Sequence, residues 1–115
     1  MTTAIIANLE KMLSGPRDSA LLRYSLGNEW LKAGDAAKAA DCLRAAIEFD
    51  ANYSAAWKLL GKALIESGDI TAALIAFENG IKVAETKGDI QAAKEMGVFA
   101  KRLKKETRIQ GKSAV

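Results

Sequence analysis

The chain has 115 residues, half of them apolar and 27% charged, with one proline, one cysteine and no histidine. That is one domain of ordinary globular composition. It lacks the usual imidazole general base, the commonest zinc ligand and any second thiol for an internal disulfide, so a reducing, cytoplasmic setting suits it. The formal charge of +3 belongs to the end of the chain: residues 1–100 hold 11 basic and 13 acidic groups, whereas residues 101–115 hold 6 and 1. A near-neutral body argues against nucleic acid as a whole-surface partner.

In chain order, the first segment, "MTTAIIANLEKML", has no basic leader, and Glu10 and Lys11 cut its apolar run short. Neither a signal peptide nor a membrane span is expected. Residues 3–14 instead read as a helix with Ile5, Leu9 and Leu13 along one side. Pro16 then stands in a turn, where proline follows a helix end. Residues 19–52 read as two helices. "SALLRYSLGNEWLKAG" carries Leu22, Leu26, Trp30 and Ala33 in one stripe at spacings of three and four. Gly34 suits the left-handed residue that ends a helix, and Asp35 suits the cap of the next. "DAAKAADCLRAAIEF" repeats the stripe at Ala36, Ala39, Leu43 and Ala46. So short a turn forces the two helices antiparallel.

Residues 53–86 write the same unit again, 34 residues on. Six aligned pairs are identical: Leu26/Leu60, Gly27/Gly61, Gly34/Gly68, Asp35/Asp69, Ala39/Ala73 and Ile47/Ile81. Composition alone predicts about two or three. Leu43/Phe77 and Ala46/Gly80 match in type. Gly27 and Gly61 sit in helix interiors, where glycine costs about 1 kcal/mol against alanine, so both are expected at close helix crossings. Carried backwards, the register sets Ile5, Leu9 and Leu13 on Ala39, Leu43 and Ile47. Residues 3–14 are then the second half of an incomplete repeat. Carried forwards past an insertion at "ETKGD", it puts Met96-Gly97 in the Leu-Gly place and Ala100 in the place of Trp30. Residues 89–106 read as a lone first helix whose charged outer side caps the stack, and 109–115 as a disordered tail.

This pattern resembles the tetratricopeptide repeat family, in particular its small bacterial members. One copy presents Trp57, Leu60, Gly61, Leu64, Ala73, Phe77 and Gly80 in the family's positions, and the other Arg23, Leu26, Gly27, Trp30, Ala39, Leu43 and Ala46. Arg23 departs from a large apolar residue, Leu64 from an aromatic, and Ala51 and Glu85 from proline. The resemblance implies an all-α, right-handed solenoid of about six antiparallel helices: half a repeat, two whole repeats and half a repeat. It also implies a protein-interaction module without cofactor, metal or enzymatic chemistry.

Stacked repeats curve, and their first helices line the inner face. The candidate peptide groove takes Leu21, Tyr24, Asn28 and Leu31 from the first copy. It takes Lys58, Leu59, Lys62 and Ile65 from the second, and Lys94 and Val98 from the terminal helix. Apolar residues beside a tyrosine and lysines suit an extended or helical partner segment with an acidic end. Beside this stands a plainer reading, in which some of these side chains pack on the neighbouring helix and the lysines are solvated. Some family members clamp a carboxylate terminus with lysines, asparagines and an arginine. Here Tyr24, Leu59, Gln91 and Glu95 stand in four of those places and only Asn28 matches, so that recognition is not implied. Self-association through the unpaired edge helices, giving a homo-oligomer, is the alternative function. Cys42 reads as a small packed thiol, and Asp35, Asp69 and Asp89, each after a glycine, as helix caps. The basic "KRLKK" favours the end of a helix dipole.

Overall fold

The computed structural model describes the backbone of residues 2–114 and the side chains of residues 4–107. All regular structure among the described residues is helical: α1 (Thr2–Glu10), α2 (Ala20–Lys32), α3 (Ala36–Phe49), α4 (Ser54–Glu66), α5 (Ile70–Lys87) and α6 (Ile90–Ala114). Each helix packs against the next in sequence, and α4 also touches both α2 and α6. The result is an all-α solenoid in which α2/α3 and α4/α5 are complete repeats and α1 and α6 are single helices at the two ends. Its extents are 50 × 31 × 20 Å.

The repeat turns are built from backbone geometry that the sequence anticipates. Gly34 and Gly68 adopt φ of 85° and 87°, where a Cβ would be strained. The next residue then folds back. The Asp35 N–H donates to Trp30 O and that of Asp69 to Leu64 O, both at 2.9 Å. Asp35 accepts from the Lys38 N–H at 3.0 Å and Asp69 from that of Ala72 at 3.1 Å. Asp89 caps α6 in the same way, accepting from the Ala92 N–H at 3.3 Å. Caps of this kind contribute about 1 kcal/mol each.

The core forms where second helices press against glycines of first helices. Leu26, Leu43, Phe77 and Met96 are the largest fully buried side chains. A Cβ at Gly27 would stand 2.6 Å from Leu43 Cγ, and one at Gly61 would clash with the Cε1 edge of the Phe77 ring. At the crossing of α5 with α6 the roles reverse. Gly80 leaves room for Met96, whose Sδ would be 2.5 Å from an added Cβ. Phe77 also stacks on Phe99 with ring centroids 5.2 Å apart, tying α5 to α6.

Two of the four departures from the family pattern have local explanations. Arg23 donates from Nε and Nη2 to the two carboxylate oxygens of Asp18 at 2.9 and 2.8 Å, and its guanidinium lies 5.6 Å from the Phe49 ring centroid. A cation thus fills an apolar place because a carboxylate and an aromatic face are both supplied. Where proline is replaced by Ala51, Trp57 Nε1 donates to the Ala51 carbonyl at 2.9 Å.

The end helices differ from expectation in length. α1 stops at Glu10, and residues 11–14 close in tighter turns, with the Met12 N–H bonded to Leu9 O at 3.0 Å and Ser14 at φ 62°. α6 continues past 106, to Ala114. The tail set at 109–115 lies where side chains are outside the described residues.

Candidate functional site

The first helices α2, α4 and α6 lie side by side, so side chains one turn apart on each face the next helix along. Four of the ten groove candidates converge in this way. Tyr24 on α2 and Lys58, Leu59 and Lys62 on α4, with Ala55, line a shallow hollow of about 150 Å³. Tyr24 is fixed by stacking on Tyr53, centroid to centroid 5.1 Å, and burial pushes the Tyr53 phenol up from its ordinary pKa. The two lysines are already engaged. Lys58 Nζ lies 3.0 Å from Glu95 Oε1 on α6, and Lys62 Nζ lies 5.4 Å from the Phe99 ring centroid. Each therefore bridges α4 to α6 while keeping its ammonium at the hollow's edge. An incoming carboxylate would compete with Glu95 for Lys58 rather than meet a bare cation.

The other candidates separate. Leu21 is 65% exposed at the start of α2. Asn28 is partly buried. Leu31 and Ile65 pack against the hydrophobic core, as Tyr24 and Leu59 partly do. Lys94 and Val98 do not join the α2/α4 hollow. They line a second and larger one of about 800 Å³ at the far end of the stack, between α5 and α6. Its floor is Ile81, Gly97 and Ala100, and Val98, Lys82 and Lys101 stand at its rim. Lys104 there pairs with Glu78 at 3.3 Å. Sequence reasoning set Lys94 and Val98 in the groove with α2 and α4 and missed Ile81, which shares the α5/α6 hollow with them. The signal for it was present: Ile81 holds the register position of Ile47.

Among the described residues there is no cluster of His, Cys, Asp and Glu that could hold a metal ion, and no helix long and apolar enough to cross a membrane. Cys42 is unpaired and partly buried, and burial raises its thiol pKa. A small lined groove on stacked antiparallel helix pairs defines a helical-repeat scaffold. No family model matches the chain. Its relatives settle the family instead: the chain belongs to the tetratricopeptide repeat family. It is 52% identical over 99 residues to the TPR repeat-containing protein PA0015 of Pseudomonas aeruginosa, covering 86% of this chain and 94% of that one. The solution structure of protein BPP2914 from Bordetella parapertussis superposes with a TM-score of 0.80 at 41% identity, over 93% of each chain. The Sgt2 TPR domain of Aspergillus fumigatus shares the fold alone. Its TM-score is 0.81 at 24% identity, over 99% of this chain and 73% of that one. Tetratricopeptide repeats are in general non-enzymatic modules that bind protein partners.

Proposed function

We propose that the protein holds a segment of a protein partner, extended or helical and carrying an acidic residue, against the inner face between α2 and α4. The observation that supports this is the convergence of Tyr24, Leu59, Lys58 and Lys62 on one hollow. A tyrosine and a leucine offer apolar contact at low entropic cost, and the two ammonium groups select charge. No catalysis is assigned. Cys42 has a raised pKa and no histidine beside it in a chain that contains none, so its thiol is a poor nucleophile in a cytoplasmic setting. The test is affinity capture with mass spectrometry, comparing wild type with Tyr24→Ala and Leu59→Asp. Both variants should keep their helical circular dichroism and lose the partner by tenfold or more. Recovery unchanged by either substitution removes the inner face as the site.

A second reading, self-association through the end helices, is favoured by a different observation. Among the described residues the apolar floor of the α5/α6 hollow has no covering helix, and none of them lies within 4 Å of a Cβ placed on Gly97.

A further inference from the structure

We propose that copies of this chain join head to tail, with α1 of one copy seated in the α5/α6 hollow of the next as the missing second helix of its third repeat. The proposal rests on the self-association reading and names its geometry.

In both complete repeats a glycine of the first helix receives a large side chain sixteen residues on: Gly27 receives Leu43, and Gly61 receives Phe77. Gly97 holds the same register position on α6, and no described residue fills its socket. Among the described residues, α1 is a second helix with no first helix of its own. Its Ile5, Leu9 and Met12 hold the register positions of Ala39/Ala73, Leu43/Phe77 and Ala46/Gly80. The alanines at the first of these positions and both large residues at the second are fully buried in the complete repeats, yet Ile5 is 45% exposed and Leu9 and Met12 are partly exposed. α1 meets α2 through another side, where Ile6 is 4% exposed. Each end of the molecule therefore presents one half of an interface that the chain makes twice internally, and the junction would continue the stack without a break in register.

The sizes also exchange in the required sense. Ile5 stands where the complete repeats have alanine, and Ala100, in the hollow's floor, stands where they have Trp30 and Leu64. The stripe Ile5, Asn8, Leu9, Met12 carries no charge, so the rim lysines Lys82, Lys94 and Lys101 meet no like charge from it. The two surfaces are different, so the contact is heterologous and leaves an open end on every copy. One short helix in one hollow makes a small interface, and association is expected in the micromolar to millimolar range.

Sedimentation of the full chain across that range tests this. The mass of the wild type should climb with concentration past the dimer. Leu9→Asp spoils the inserted helix, and Gly97→Leu fills the socket, so each variant alone should remain at single-copy mass with its helical signal intact. Ile5→Asp serves as a second α1 variant, because Ile5 already faces solvent. Mixed together, Leu9→Asp supplies a good socket and Gly97→Leu a good α1. The mixture should form a one-to-one dimer and stop there. A wild type that stays at single-copy mass overturns self-association altogether and leaves the inner-face reading untouched. A wild type that associates while the variants associate equally, or whose mass levels off at a dimer, overturns the head-to-tail geometry alone. So does a mixture of the two variants that remains at single-copy mass.

Discussion

Gly27 and Gly61 differ from Gly97 in surroundings rather than in local sequence. All three follow a large apolar residue in a first helix. The first two are buried beneath Leu43 and Phe77, and the third faces open space. A helix-interior glycine is a cost that packing must offset. The two inner positions show that offset directly, because a side chain there would occupy space already taken. At Gly97 none of the described residues supplies it. The same residue in the same register is thus a structural necessity in the middle of the stack and an unfilled socket at its end.

The sharpest way to break this contrast is to remove the inserted residues. Phe77→Ala should cost about 3–5 kcal/mol of stability in chemical denaturation, since the ring is fully buried against Gly61. Leu9→Ala, at the same register position on α1, should cost about 1 kcal/mol or less. Equal losses would mean that the end helix is packed as tightly as the middle. Next come the sockets. Gly61→Ala and Gly27→Ala should each destabilise by about 1–3 kcal/mol despite alanine's better helix propensity, because the added methyl overlaps Phe77 or Leu43. Gly97→Ala should instead raise stability by up to about 1 kcal/mol, readable as a higher melting temperature. A loss at Gly97 comparable with that at Gly61 would show its surroundings to be closed.

The smallest effect concerns the amino-terminal end. The Arg23 guanidinium, with the Ser14 N–H, holds the Asp18 carboxyl at about 2, against an ordinary value of 3.8. A carboxyl whose folded pKa is lowered favours the fold when ionised. Its contribution is therefore complete above about pH 4 and fades as pH falls towards 2. Asp18→Asn should flatten the stability profile in that window alone and leave stability near neutral pH only slightly lower. A profile unchanged between pH 4 and 2 would show that the pair adds nothing to the fold.

Much of the fold was legible before any coordinates. The 34-residue step, the Gly-Asp turns and the paired stripes of α2/α3 and α4/α5 are local or periodic features, and periodicity reports which face of a helix is apolar. The candidate site was legible only in part. Tyr24, Lys58, Leu59 and Lys62 were named together and do converge on one hollow, whereas Lys94 and Val98 were named with them and line another. The spacing of α6 showed that these two share a face. It carried no information about which helix that face meets, because that depends on which helix packs beside α6. Lys58 and Lys62 read as free cations, and their engagement with Glu95 and Phe99 depends on how α4 and α6 are set side by side.

The amino-acid sequence by itself determined the helices, their caps, their antiparallel pairing and the glycines at their crossings. These follow from backbone conformation and the helical repeat, which act over a few residues or one regular step. Only the tertiary structure decided which surfaces are covered. It occupied the socket at Gly61 and left the one at Gly97 open, tied Arg23 to Asp18, and divided the inner-face candidates between two hollows. Burial is a property of neighbouring elements, and a residue's own sequence context does not specify whether the neighbour exists.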